Sequence, residues 1–140
     1  MANNFPSFNP IMAHPVRSDE DLVRLRALVR ERAVEIGLTL VDQTKMVTAA
    51  SELARNTLRY GGGGEAQIEV VASGSLRGLR ITFRDNGPGI ANVKLALTDG
   101  FSSGTGLGFG LGGARRLTDE FELATEPGKG TAVTITKWKR

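Results

Sequence analysis

The chain has 140 residues and 40% hydrophobic content, which suits one globular domain with a single core. It has a formal charge of +3 and no cysteine, which excludes a disulfide framework and a thiolate metal site and makes the cytoplasm the expected compartment. No apolar run approaches the ~20 residues that span a bilayer, and MANNFPSFNP lacks a signal-peptide pattern. The scattered arginines, without interleaved aromatics, argue against nucleic-acid binding.

Residues 1–10, with Pro6, Pro10 and three asparagines, read as a loose arm, and residues 11–140 as the folded domain. A short strand is expected over Ile11–Val16. Ser18 is placed to cap a helix whose apolar positions Leu22, Leu25, Val29, Ala33 and Ile36 recur at helical spacing until Gly37. A second helix is expected over Leu40–Tyr60, with Val47, Ala50, Leu53, Ala54 and Leu58 in one stripe, stopped by the Gly61–Gly64 run. Two strands follow, Gln67–Ala72 and Leu79–Arg84, joined by Ser73-Gly74-Ser75. After a turn at Asn86–Gly89 come a short helix near Val93–Leu97 and a glycine-rich loop. A helix over Gly110–Leu117 then leads to strands near Phe121–Thr125 and Thr131–Trp138, turned at Pro127-Gly128. There is no internal repeat and no linker. The expected fold class is α/β: a two-layer sandwich with a mixed sheet covered by helices on one face. The basic ending Lys137–Arg140 is expected to be a solvated terminus.

Three motifs carry candidate chemistry. Glu52 and Asn56 lie four residues apart on a helix and share a face, so a carboxylate and an amide oxygen could handle a proton and a Mg²⁺ ion. An ordinary polar helix face fits the same two residues. Asp85-Asn86-Gly87-Pro88-Gly89-Ile90 follows a strand. A carboxylate there can accept from an exocyclic amine such as that of adenine, although a plain turn has the same composition. The third motif is Gly104-Thr105-Gly106-Leu107-Gly108-Phe109-Gly110-Leu111, opening a helix. Seven of the fourteen residues from Gly100 to Gly113 are glycine, and unhindered N–H groups beside a helix N-terminus suit phosphates. A flexible linker is the bland alternative, but linkers rarely alternate glycine with Leu107, Phe109 and Leu111. The Walker pattern is absent, and Gly108, Gly110 and Gly113 match dinucleotide spacing without a strand leading into them.

In their order, these three motifs and Gly130-Thr131 resemble the GHKL ATP-binding superfamily, whose members have the two-layer α/β Bergerat fold. The resemblance runs from about Ile11 to Trp138. Within it the chain is most similar to the small stand-alone anti-sigma and switch kinases of the RsbT type, through Ser51–Asn56, Asp99–Ser103, Arg116–Phe121 and Lys137-Trp138.

That resemblance implies ATP and Mg²⁺ as cofactors. It implies Glu52 as the general base or hydroxyl-orienting group, Asn56 as the Mg²⁺ ligand, and Asp85 as the adenine reader, helped through water by Thr131. Gly87, Gly89 and Ile90 would shape the adenine pocket, and residues from about Asn92 to Gly106 would form a lid. Gly104, Thr105, Gly106, Leu107, Gly108, Phe109 and Gly110 would wrap the phosphates. Thr57 and Phe109 depart from commoner family residues without removing a chemical group. The implied activity is a serine/threonine kinase acting on STAS-domain antagonist or scaffold proteins, with a PP2C-type phosphatase as a further partner. A nucleotide-gated module that sequesters a sigma factor, or that only activates the phosphatase, is the alternative. His14, the lone histidine, lies outside the motifs.

Overall fold

The computed structural model describes residues 12–97 and 109–140, so the N-terminal arm and Ile11 lie outside it. The elements run β1 (Met12–Val16), α1 (Asp19–Glu35), α2 (Leu40–Arg59), β2 (Gly64–Ser73), β3 (Leu76–Asp85), α3 (Val93–Ala96), α4 (Phe109–Leu117), β4 (Glu120–Glu126) and β5 (Gly130–Trp138). Two hydroxyls start the long helices: Ser18 accepts from the Asp21 N–H at 3.1 Å and Thr39 from the Asp42 N–H at 3.1 Å. Each satisfies an N–H that the first turn leaves without a partner.

The strands form one sheet in the order β1-β2-β3-β5-β4, antiparallel at every pairing. This corrects the expected mixed sheet, and the cause is topological. The helical crossover does join two strands that point the same way, β3 and β4. However, β5 returns between them and pairs with both, so no parallel neighbours remain.

Alternation in the strands sorts the two faces. Leu79, Ile81 and Phe83 of β3 are buried, and their cross-strand neighbours on the same face include Ile68, Ala66, Ile135 and Val133. The helices bury Leu25, Val29, Met46, Ala50, Leu53 and Leu111 in the same core. Each large apolar side chain so buried contributes about 1.5–3 kcal/mol relative to exposure. The opposite face of the sheet is polar. There the Thr82 and Thr134 hydroxyls pair at 3.0 Å, and Arg80 Nε donates to Thr136 Oγ1 at 2.9 Å. Among the described residues no helix is long and apolar enough to cross a membrane.

Of the C-terminal segment expected to be solvated, Lys139 and Arg140 are exposed, but Lys137 and Trp138 are not. Lys137 is buried, with its Nζ 3.6 Å from Asp42 and 3.5 Å from Asp119. The Trp138 N–H donates to Asp119 at 2.7 Å, its indole N–H donates to Glu120 at 2.7 Å, and the Lys139 N–H donates to the Arg77 carbonyl at 2.7 Å. Strand pairing carries the segment into these contacts, which outweigh the tendency of a terminus to fray.

Candidate functional site

At the other end of β5 a cleft opens between α2, the end of β3 and the start of β5. Leu53, Phe83, Ile90, Leu111 and Val133 give it apolar walls, and Asn56, Asp85 and Thr131 face into it. The cleft is narrow, about 40 Å³.

Asp85 ends β3 directly opposite Thr131 of β5. Its carboxylate accepts from the Gly87 N–H at 2.9 Å and from the Thr131 N–H. Burial pushes this carboxyl above the usual carboxylate range, and the two N–H bonds offset only part of that. Among the described residues Asp85 forms no ion pair. Its remaining lone pairs therefore suit a neutral donor, such as an amine on an aromatic ring.

The connection after β3 is held tightly against the β4–β5 hairpin. Gly89 has φ +73°, and a Cβ there would collide with the Glu126 carbonyl. Only glycine combines that backbone conformation with that approach. The Gly128 N–H donates to the Pro88 carbonyl at 2.7 Å, and the Ile90 N–H to Thr125 Oγ1 at 2.9 Å. Gly87 packs on Gly61, where a Cβ would lie 2.7 Å from the Gly61 Cα.

Asn56 lines the cleft from α2, and its Nδ2 is buried without a partner among the described residues. The two ends of a side-chain amide are assigned by their surroundings, so the same position can equally hold the oxygen. Either way Asn56 presents unused polar capacity to the cleft. Such a group fits a Mg²⁺ ion, which takes few protein oxygens and keeps water and phosphate ligands besides.

Glu52 lies one turn earlier on α2 and does not line the cleft. Its Oε2 accepts from Arg55 Nη1 at 2.6 Å, and the side chain packs on the first turn of α4. A Cβ on Gly110 would lie 2.7 Å from Glu52 Cβ and 3.0 Å from Oε1, so this glycine lets α4 close on the carboxylate.

Of the residues singled out from sequence, Asn56, Asp85, Gly89, Ile90 and Thr131 meet in the cleft, Gly87 supports it, and Glu52 and Gly110 meet beside it. Gly104, Thr105, Gly106, Leu107, Gly108 and the side chain of Phe109 lie outside the described residues. Sequence reading missed Tyr60 and Gly61 in the wall and, above all, Thr125. Its signal was available: a hairpin turning at Pro127-Gly128 brings Thr125 opposite Thr131.

Residues 41–140 match the model of a family described as histidine kinase-, DNA gyrase B-, and HSP90-like ATPase. The chain is 45% identical over 125 residues to the serine/threonine-protein kinase RsbT of Bacillus subtilis (strain 168), covering 89% of this chain and 94% of that protein. It is 28% identical over 120 residues to the anti-sigma F factor of Thermoanaerobacter sp. (strain X514), covering 81% of this chain and 82% of that one. A solved structure of the RsbU and RsbW domains of a Mycobacterium tuberculosis protein superposes with a TM-score of 0.64 at 22% identity. That match covers 94% of this chain and 33% of the longer one, and it speaks for the fold alone.

Proposed function

The chain belongs to the histidine kinase-, DNA gyrase B-, and HSP90-like ATPase family, and from its 45% identity to a serine/threonine-protein kinase over 89% of its length we propose that it moves the γ-phosphate of ATP to a serine or threonine hydroxyl of a partner protein. The observation that carries this reading is the pairing of Asp85 with Thr131 at the base of an apolar slot walled by the helix that bears Asn56 and Glu52. The slot suits a flat base, and the acceptors at its base suit the amine of adenine.

Phosphoryl transfer asks a protein mainly for positioning and charge stabilisation. Asp85 and Thr131 would fix the base, and Asn56 would supply one oxygen ligand to Mg²⁺. When bound, that ion would neutralise phosphate charge. Glu52 would orient the attacking hydroxyl and take its proton. The Glu52–Arg55 ion pair does not oppose this role, because both side chains are substantially exposed, at 31% and 46%, and exposed pairs are worth little and exchange readily. The glycines from Gly104 to Gly110 would wrap the phosphates with their N–H groups.

The acceptor is read as a STAS-domain antagonist or scaffold protein, with a PP2C-type phosphatase as a second partner. This follows the similarity to the RsbT kinase over nearly the whole chain. The test is transfer of radiolabel from γ-labelled Mg²⁺–ATP to a STAS-domain protein encoded near this gene. Wild type is expected to label it, and Glu52→Ala to lose at least 100-fold in rate, the lower range for general-base loss. Equal labelling by both forms would remove Glu52 from the mechanism. Absence of labelling by wild type, with ATP bound and a sigma factor retained, would move the function to sequestration.

A further inference from the structure

Thr125 belongs to none of the motifs, yet its hydroxyl is the most heavily used in the site. Thr125 Oγ1 accepts from the Ile90 N–H at 2.9 Å and lies 3.0 Å from both the Gly130 carbonyl oxygen and Thr131 Oγ1. A hydroxyl has one proton to give and two lone pairs to accept with. The Gly130 carbonyl can only accept, so the Thr125 proton goes there. The Thr131 hydroxyl must then be the donor of the Thr125–Thr131 bond. With Ile90 and Thr131 donating to it, both Thr125 lone pairs are used and all three contacts are satisfied at once.

The consequence falls on Thr131. Its single proton is committed to Thr125, so toward the cleft it presents lone pairs only. Asp85 beside it, when ionised, also only accepts. The two groups that face the base therefore form an all-acceptor pair. We infer that Thr125 is a specificity-determining residue: by holding the Thr131 proton, it makes the cleft accept a 6-amino purine and reject a 6-oxo purine. The amine of adenine has two protons to offer such a pair, directly or through a water. At the position of that amine the 6-oxygen of hypoxanthine or guanine would meet lone pairs and remain unsatisfied, and their N1–H, one ring atom further on, could reach the pair only by a shift of the base. Leaving a polar atom unpaired is the situation in which polar sites discriminate most strongly. The inference rests on the proposal that the cleft holds the base of ATP.

The experiment compares ATP with ITP, which replaces the 6-amine by a 6-oxygen, by calorimetric titration in the presence of Mg²⁺. Wild type, Thr125→Val, Thr125→Ser and Thr131→Val are used, each checked for a folded melting transition. Wild type is expected to prefer ATP. Thr125→Val frees the Thr131 proton to turn toward the 6-oxygen, and the ATP/ITP preference should fall by about five- to tenfold, near the worth of one hydrogen bond. Thr125→Ser keeps the hydroxyl and should keep the wild-type ratio. If Thr125→Val does not fold, Thr125→Ala, which also removes the hydroxyl, takes its place with the same expected fall. Unchanged preference in the variant that lacks the Thr125 hydroxyl overturns the inference, and so does unchanged preference in Thr131→Val. Equal weakening of both nucleotides in Thr125→Val would mark Thr125 as a merely structural residue and overturn it as well. A wild type that binds neither nucleotide would instead defeat the nucleotide reading of the cleft. One that binds both equally would defeat only the base-selection argument.

Discussion

Ionised, Asp85 costs the fold stability. Burial raises its pKa in the folded chain above the unfolded value, so keeping it ionised opposes folding. Its stability contribution is intact below the ordinary carboxylate range, near pH 4, and is lost as pH rises through the raised value. Asp85→Asn keeps an oxygen for the Gly87 N–H and removes that charge. Thermal melts should show the variant at least as stable as wild type at pH 7, with the difference closing at about pH 3.5. Its ATP affinity should drop by about 1.5–3 kcal/mol, the worth of a charge-assisted hydrogen bond, which calorimetry reads directly. Unchanged affinity would detach Asp85 from the base. ATP binding by wild type should likewise weaken as pH falls through the raised Asp85 value, earlier than an ordinary carboxylate would cause.

Among the elements, α4 depends on a close approach to α2 at a glycine. Gly110→Ala would push a methyl group into Glu52, and overpacking of this kind costs about 1–3 kcal/mol. Denaturant unfolding should show that loss, and phosphotransfer should fall further than ATP affinity, because Glu52 is displaced while Asp85 and Thr131 are not. Thr39→Ala, which removes the α2 cap, should cost about 1 kcal/mol and leave the phosphotransfer rate of the remaining folded protein unchanged. The helices were legible from sequence because their apolar stripes and caps are local: Ser18, Leu22, Leu25 and Val29 announce α1 unaided. The strands were found but drawn short. Arg77, Gly64 and Glu126 have weak strand preference and are extended because a partner strand pairs with them. The motif residues were legible as chemistry, whereas Thr125 acquires its role only from the hairpin register. The meeting of Glu52 with Gly110 of α4 is likewise a product of helix packing, which no spacing along one chain records.

Over the whole molecule, β5 ties two ends together. Its first residues line the cleft, and its last anchor the chain in the cluster of Lys137, Asp42, Asp119 and Arg140. Burial acts to raise the Asp119 pKa, but the Trp138 N–H and the Lys137 and Arg140 cations outweigh it and hold the carboxyl below the usual carboxylate range. A depressed value means that its stabilisation is present above the unfolded pKa, near 3.9, and is lost as pH falls through the folded one. Asp119→Ala should therefore destabilise the chain at pH 7 by about 1.5–3 kcal/mol. Urea unfolding repeated at successively lower pH should show that gap narrowing below about pH 4. A gap that stayed constant into acid would mean that packing, and not charge, is what Asp119 supplies.

Trp138 is the chain's one tryptophan, and its ring lies over Gly78 with the indole N–H bound to Glu120, at the far end of β5 from Thr131. Intrinsic emission excited in the indole band thus reports one place only, the pairing of the end of the last strand within the sheet. Nucleotide titrations should leave that signal flat, while unfolding should move it fully. The protein therefore carries its own optical probe of folding, blind to ligand, against which occupancy of the cleft can be followed separately.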